Sequence, residues 1–333
     1  MKVGIVGIGY WGPNLVRNFF NLEEISGIVC CDFNPKRLAF IQSRFPTVET
    51  TTDYRDLLKR TDIDMIAVAT PVSSHFELGI AALKHGKHLL LEKPMTASVE
   101  EAEQLIEYSK KSGLTLMVDH TFIYTGAVRK IKEIIVGGLL GDIYYFDSVR
   151  VNLGLFQHDV NVIWDLAPHD LSVMSYVLTQ KPVAVSAVAM NHIDLVEDIA
   201  YLTVYFNSNL IAHFHVNWLA PVKVRTILIG GSKRMIMYDD MEPSDKVKVY
   251  DKGVEVNTKE GIYETLIQYR AGDMFAPKID QTEALSLMCK HFIDCVTHSI
   301  RPLTDGRVGL EVVKVLEASG KSIRQSGKTI KLD

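Results

Sequence analysis

Three glycines stand at positions 7, 9 and 12 in the run Gly7-Ile8-Gly9-Tyr10-Trp11-Gly12, with apolar residues before it and a helical pattern after it. That spacing suits a turn that brings bare backbone against a phosphate. Gly7 permits the tight bend, Gly9 leaves room for a pyrophosphate, and Gly12 lets strand and helix pack closely. The helix that follows offers free N–H groups and the positive end of its dipole. Asp32 closes the second apolar run, twenty residues beyond Gly12, where a carboxylate reaches the hydroxyls of an adenosine ribose. Taken alone, Asp32 is a turn or cap residue within Asp32-Phe33-Asn34-Pro35. In this context the whole segment reads as a dinucleotide-binding turn. Asp32 favours NAD by repelling the extra phosphate of NADP, and Lys36 and Arg37 soften that preference.

Two other groups carry reactive side chains. Glu92-Lys93-Pro94 follows the fifth expected strand, and ligands of a doubly wound sheet gather at the carboxyl ends of its strands. The plain alternative is a surface lysine in a turn. Trp164-Asp165-Leu166-Ala167-Pro168-His169-Asp170 sets Asp165 and His169 four apart. There the plain alternative is a helix start, with Asp165 as its cap, Pro168 in the first turn and His169 a polar first-turn residue. No cluster of His, Cys and carboxylates has the spacing of metal ligands, so no metal is expected.

The elements that position these groups follow from hydrophobic pattern. Strands are expected at Lys2–Gly7, Ile25–Cys31, Thr47–Thr50, Asp64–Ala69, His88–Leu91 and Thr115–Asp119, with helices at Pro13–Asn21, Pro35–Phe45, Ser74–His85 and Ser98–Ser112. Such alternation implies right-handed crossovers and a parallel sheet buried on both faces. From about Ile143 to Tyr250 strands succeed one another, interrupted by one helix near Pro168–Leu178. Tyr201–Phe206 alternates strictly, Asn207-Ser208-Asn209 is a hairpin turn, and the return strand carries Ala212, Phe214, Val216 and Trp218 opposite His213, His215 and Asn217. One face of this antiparallel sheet is apolar and the other polar and aromatic. Helical patterns at Gln281–Ser299 and Arg307–Gln325 close the chain, either covering that sheet or packing back on the first domain. The expected domains are 1–121, binding the dinucleotide, and 122–333, binding substrate and making the oligomer contact.

Length and composition fit two soluble domains: 333 residues, 47% hydrophobic and 23% charged, enough for real cores. The net charge of −4 argues against nucleic acid and against a polybasic membrane anchor as partners. No apolar run approaches the roughly 20 residues of a membrane span, and the chain enters a strand at once with no room for a signal peptide. Cys30 and Cys31 point to opposite faces of one strand, and Cys289 and Cys295 lie on different helix faces, so neither pair suits a bridge. The expectation is a reduced, cytoplasmic protein.

Together these motifs resemble the Gfo/Idh/MocA family of sugar and cyclitol dehydrogenases over nearly the whole chain. The resemblance rests on the glycine turn, on Thr70-Pro71 with His75 after the fourth strand, on Glu92-Lys93-Pro94, and on Asp165-x-x-x-His169. A glycine often found between that Asp and His is Ala167 here. The family implies an α/β fold, a Rossmann domain followed by an α/β domain with an open, mostly antiparallel sheet. It implies that Gly7, Gly9, Tyr10, Trp11, Gly12, Asp32, Thr70, Pro71, His75, Glu92 and Lys93 surround NAD, with NADP as the other possibility. It also implies that Lys93 and His169 are catalytic, with Asp165 completing the set. Histidine ordinarily titrates near 6.5, so His169 suits proton exchange with a secondary hydroxyl as hydride moves to nicotinamide. Lys93 suits the developing negative charge on that oxygen, and Asp165 would orient the imidazole or bind a neighbouring hydroxyl.

Gly9-Tyr10-Trp11-Gly12-Pro13-Asn14-Leu15, Asp119-His120-Thr121-Phe122, Pro168-His169-Asp170-Leu171 and Tyr269-Arg270-x-Gly272-Asp273 resemble one bacterial branch of the family. That branch implies oxidation at C3 of a nucleotide-linked sugar, a UDP-linked N-acetylhexosamine or its uronic acid. A diphosphate calls for cations, and arginine gives bidentate contacts. Arg150, Asn152 at the same strand parity, and Arg270 in its loop are the candidates, and Tyr124 is a candidate sugar contact. Salt bridging or loop anchoring is the plain alternative for each. Other readings are an inositol or free-aldose dehydrogenase, and a nucleotide-bound regulatory protein without catalysis, against which Lys93 and His169 together argue. The family also implies a homodimer or homotetramer built on the open sheet face, where Tyr201, Thr203, Tyr205, His213, His215 and Asn217 replace the Lys and Glu of a solvated surface.

Overall fold

The computed structural model describes residues 1–154, 160–257 and 266–332. It divides into two compact units, Met1–Tyr124 with Thr282–Lys314, and Thr125–Gln281 with Val315–Asp333.

In the first unit strands and helices alternate: β1 (Lys2–Val6), α1 (Gly12–Phe20), β2 (Gly27–Cys31), α2 (Pro35–Arg44), β3 (Glu49–Thr51), α3 (Tyr54–Lys59), β4 (Met65–Val68), α4 (His75–Lys84), β5 (His88–Glu92), α5 (Val99–Ser112) and β6 (Leu116–Asp119). The strands pair in parallel in the order β3-β2-β1-β4-β5-β6. That order reverses between β1 and β4, so their carboxyl ends frame the crevice where a doubly wound sheet takes its ligand. β4 and β6 are buried at every residue, as a sheet covered on both faces requires. Local chemistry sets the helix ends. Ser98 accepts from the Glu101 N–H at 3.3 Å while Glu101 accepts from the Ala97 N–H at 3.1 Å, and Gly113 closes α5 at φ 68°. These are the capping arrangements that satisfy otherwise orphaned helix groups. The six-residue α3, capped by Asp53, lies outside the sequence expectation because it is too short to show a helical period.

The second unit contains α6 (Gly126–Val136), β7 (Ile143–Leu153), α7 (Val162–Val177), β8 (Pro182–Met190), β9 (Ile199–Phe206), β10 (Ile211–Asn217), β11 (Leu219–Gly231), β12 (Met235–Asp239), β13 (Val247–Asn257) and β14 (Leu266–Phe275). Then come α8 (Ala284–His298), which belongs to the first unit, α9 (Gly306–Arg324) and the short β15 (Ile330–Lys331). The sheet runs β14-β13-β12-β11-β7-β10-β9-β8-β15 among the described residues. β7 and β10 pair in parallel; the other pairs are antiparallel. Tyr205 faces Ile211 across the expected hairpin turn, and Leu202 faces Phe214. Leu202, Val204, Phe206, Ala212, Phe214 and Val216 are buried on the face that α7 covers through β7, β9 and β10.

Three details differ from expectation. The helix expected near Pro168–Leu178 begins at Val162, capped by Asn161, whose side chain accepts from the Trp164 N–H at 3.1 Å. Asp165 is therefore in the first turn instead of capping it, and Pro168 lies inside α7, where it withdraws one donor from the helix ladder. The strands continue past Tyr250, so Arg270 lies on β14, not in a loop.

Candidate active site

The glycine turn is dictated by sterics at two of its three positions. Gly7 has φ 91°, and a Cβ there would lie 2.6 Å from the Ala69 carbonyl oxygen at the end of β4. A Cβ on Gly12 would lie 2.1 Å from the carbonyl oxygen of Gly7. Gly9 is different: the nearest atom to its missing side chain is Arg37 Nη1 at 4.0 Å. The chain's own packing needs the outer glycines, and the middle one borders open space that a ligand's phosphates would enter. No side chain caps α1; Pro13 has no N–H and that of Asn14 donates to the Trp11 carbonyl at 2.9 Å, so Gly12 is the first-turn donor toward an anion. Asp32 is buried and braces the turn, accepting from the Ile8 N–H at 2.7 Å and the Asn34 N–H at 2.8 Å. A carboxylate has about four acceptor sites, so capacity remains for ribose hydroxyls. Arg37 Nη1 stands 3.4 Å from Asp32 Oδ2, and the exposed rings of Tyr10 and Phe33 flank the turn. These features fit NAD.

The loops after β4 and β5 are tied together by one residue. The His75 ring is buried, with Nε2 2.8 Å from the Thr70 carbonyl oxygen and Nδ1 2.9 Å from that of Pro94. Burial pushes His75 below its ordinary value, against the raising effect of those carbonyls. The expectation that His75 touches cofactor is corrected: a ring enclosed this way positions the loops of Thr70 and Lys93. Thr70 Oγ1 lies 2.7 Å from Ser74 Oγ, and Pro71 is exposed. Lys93, half-buried, begins a cis peptide to Pro94, and its backbone N–H donates to Glu92 Oε2 at 2.9 Å. Trp11 is drawn in through Nε1, which donates to Asp119 Oδ2 at 3.2 Å.

In the second unit, Asp165 and His169 are half-buried and one turn apart on α7, so they share a helix face. Asp165 Oδ2 accepts from Trp218 Nε1 at 3.1 Å. Trp218 is fully buried and lies just past β10. Sequence reading took Trp218 only for its apolar face. Its indole N–H is the hidden part of the site, because it holds Asp165 in one orientation. The His169 carbonyl accepts from Ser172 Oγ at 2.7 Å.

Three expected substrate contacts have partners within the protein. Arg150 is buried on β7, with Nε 2.8 Å and Nη2 2.7 Å from the two oxygens of Asp170, which also accepts from Ser148 Oγ at 2.8 Å. Burial opposes its charge, and the Asp170 carboxylate more than restores it. This guanidinium ties α7 to the sheet and is turned away from solvent. Tyr124 is also buried, its hydroxyl 3.3 Å from Thr304 Oγ1 and its ring 5.7 Å from that of His291, so it is a packing residue of the first unit. Arg270 Nε bonds Asp251 at 3.1 Å, and its Nη2 donates to the Lys233 carbonyl, which anchors one strand to its neighbours. Asn152 remains half-buried on β7. Among the described residues no group of three His, Cys, Asp or Glu could hold a metal, and no helix is long and apolar enough to cross a membrane.

Comparison with known proteins agrees with this geometry. The family model for Gfo/Idh/MocA oxidoreductases, with an NAD-binding Rossmann fold, matches residues 1–120, and that for the Gfo/Idh/MocA C-terminal domain matches 128–237. The UDP-N-acetylglucosamine 3-dehydrogenase of Acidithiobacillus ferrooxidans is 24% identical over 84% of this chain and 87% of its own length. Its solved structure has a TM-score of 0.78 at 22% identity, covering 97% of this chain and 99% of its own. The scyllo-inositol 2-dehydrogenase (NADP(+)) IolW of Bacillus subtilis is 28% identical over 70% of this chain and 63% of its own. Levoglucosan dehydrogenase, solved with NADH and levoglucosan, has a TM-score of 0.84 at 19% identity, covering 100% of this chain and 99% of its own. The chain belongs to the Gfo/Idh/MocA family, with an NAD-binding Rossmann fold, and is an NAD(P)-dependent oxidoreductase.

Proposed function

We propose that this oxidoreductase acts on a secondary hydroxyl of a sugar, and that its substrate is a nucleotide-linked N-acetylhexosamine or its uronic acid reacting at C3. The Asp165–His169 pair on α7, with Asp165 held by the buried indole of Trp218, carries the reading. Bound NAD supplies the hydride acceptor. His169 takes the hydroxyl proton during oxidation and returns it during reduction. Lys93 donates to the reacting oxygen and stabilises its growing charge. Asp165, fixed by Trp218, orients the imidazole. Gly7, Gly9 and Gly12 hold the pyrophosphate, Asp32 the ribose, and the exposed Phe33 ring offers apolar surface to the adenine. Tyr10, Trp11, Thr70, Pro71 and Glu92 complete the surroundings of the cofactor.

The 3-dehydrogenase relative, matched along most of both chains, supports a nucleotide sugar. The commitment of Arg150 to Asp170 and of Arg270 to Asp251 favours a second reading, a polyol or free aldose that needs no diphosphate site. Purified protein should reduce NAD in the presence of one of UDP-N-acetylglucosamine, its uronic acid, an inositol or a free aldose, followed by NADH absorbance. Turnover with the inositol or aldose alone would move the assignment to the second reading. NADH binding without turnover on any substrate of the panel would point to a regulatory protein.

The open face of the second sheet is the proposed contact of a homodimer or homotetramer. Tyr201 stacks on His215 with centroids 4.5 Å apart, and Tyr201 and Ile211 are exposed beside it. An isologous contact would meet any new charge twice. Light scattering should therefore show an oligomer that Tyr205→Glu with His213→Glu dissociates; a native particle near 37.4 kDa would end the idea.

A further inference from the structure

The carboxyl ends of β5 and β6 carry two acids and an imidazole to which no proton-transfer or charge role is given above. Glu92 and Asp119 are register partners on adjacent parallel strands, both are buried, and their side chains leave the sheet on the same face. Asp119 accepts from Trp11 Nε1 at 3.2 Å and from Thr121 Oγ1 at 2.5 Å. Glu92 accepts from the Lys93 N–H at Oε2, while its Oε1 is buried without a hydrogen-bond partner. Beside them the ring of His120 is buried with neither nitrogen hydrogen-bonded.

Two ionised carboxylates are acceptors only, so they cannot bond to each other, and a second buried negative charge is strongly disfavoured. A single proton on Glu92 Oε1 removes both difficulties. It gives the unpartnered atom a hydrogen bond and leaves one charge in place of two. The proton belongs on Glu92 because Asp119 has the larger set of donors, and donors stabilise the ionised form.

We propose that Glu92 is a neutral carboxylic acid that donates its Oε1–H to an ionised Asp119, and that the pair, carrying one negative charge, is a positioning device for the Lys93 ammonium. This rests on the reading of Lys93 as the donor to the reacting oxygen. An ionised Glu92 would compete with that oxygen for the ammonium; a neutral one does not, and Asp119 still supplies the counter-charge. The neighbourhood is consistent. Burial, then the Asp119 charge, raises Glu92 well above the usual carboxylate range, against the lowering effect of Lys93. Burial also raises Asp119, while Thr121, Glu92 and Trp11 work against it. The groups facing the pair are Lys93 at the end of β5, His120 after β6 and Cys289 on α8. Burial, then Lys93, pushes His120 down to about 3, so it is neutral. Burial raises the Cys289 thiol well above its ordinary value, so it too is uncharged.

Infrared spectroscopy of the full-length protein at neutral pH, without substrate, reads the proton directly. The wild type should show the carbonyl stretch of a protonated carboxylic acid, and Glu92→Gln should lack it. No such band in the wild type, or one that survives Glu92→Gln, would overturn the assignment. So would a Glu92→Gln protein that does not fold, because the amide supplies the same donor and acceptor. In turnover, Asp119→Asn should lower kcat by about tenfold or more and displace the acid limb of its pH profile, with Asp119→Glu restoring part of the loss. Glu92→Gln should leave that limb where it is, and a displaced limb counts against the proposal. Since the infrared arm needs no substrate, a failure of the dehydrogenase reading would show separately, as a wild type with the band and no turnover.

Discussion

The turn after β1 and the helix α7 both hold polar groups in place, but by different means. Around the turn the constraints on the glycines are steric, Gly12 against Gly7 and Gly7 against Ala69, with Asp32 bracing the Ile8 N–H. On α7 they are polar side-chain pairings, since Asp165 accepts from Trp218 and Asp170 from Arg150. A glycine pattern declares its own reason, because only a missing side chain permits the contact. A charged residue does not declare whether it faces a substrate or a buried partner. The Arg150–Asp170 pair shows the cost of that ambiguity, because a side chain suited to a diphosphate is spent on holding a helix to its sheet.

The largest expected effect tests whether both regions serve one reaction. Lys93→Ala and His169→Ala should each fold and bind NADH yet lose about 10²–10⁴ in kcat. Wild-type kcat in either purified variant removes that residue from the chemistry. Next is the claim that Arg150 is structural. Arg150→Ala leaves Asp170 buried without its partner, a loss of about 3–5 kcal/mol that urea denaturation would read. A variant of unchanged stability but raised substrate KM would return Arg150 to the substrate.

Smaller and pH-dependent is the contribution of His120. Its folded value of about 3 lies below its ordinary 6.5, so above 6.5 the ring is neutral in both states and contributes nothing to the pH dependence. As pH falls from 6.5 toward 3 the unfolded chain takes up a proton that the folded chain refuses, and stability is lost. The slope is at most about 1.4 kcal/mol per pH unit. Stability curves of wild type and His120→Gln should therefore change relative to each other on acidification, with the wild type losing more; a difference flat in pH would contradict the buried, neutral ring. The smallest effect concerns Arg37, half-exposed beside Asp32. Arg37→Ala should weaken NADPH binding a few-fold more than NADH binding, consistent with the roughly 0.2–1 kcal/mol of exposed ion pairs. Equal losses in a fluorescence titration would show that Arg37 does not face the ribose.

The glycine turn and the first six strands other than β3, which is short and polar, were legible because buried parallel strands are continuous apolar runs and the glycines mark the end of the first. The hairpin between β9 and β10 was legible from its alternation. The start of α7 was not, because Pro168 imitates a helix beginning while the true cap, Asn161, lies seven residues earlier. Tyr124 and Arg150 were read as candidate substrate contacts, with salt bridging or loop anchoring as the alternative, and only three-dimensional packing reveals that Thr304 and Asp170 are their partners. Trp218 shows the reverse, since its apolar bulk concealed an N–H that donates to Asp165.

The return of the chain to the first unit bears on how the protein is made. Thr304 completes the edge of β6: its carbonyl accepts from the Val118 N–H at 2.8 Å and its Oγ1 donates to the Val118 carbonyl at 2.7 Å. Glu283 similarly secures α1 through Arg17. A ribosome adding about 5–20 residues per second needs roughly 10–40 s to travel from Tyr124 to Thr304, which are 180 residues apart. Throughout that interval the nascent nucleotide-binding sheet has an unfinished edge, and such an edge is a template for pairing with other chains. Vectorial synthesis therefore delivers the cofactor-binding half first in order of translation yet leaves it unfinished until Thr282–Lys314 is made, and a chain halted before Thr304 should be a substrate for chaperones and proteases instead of a folded NAD-binding fragment.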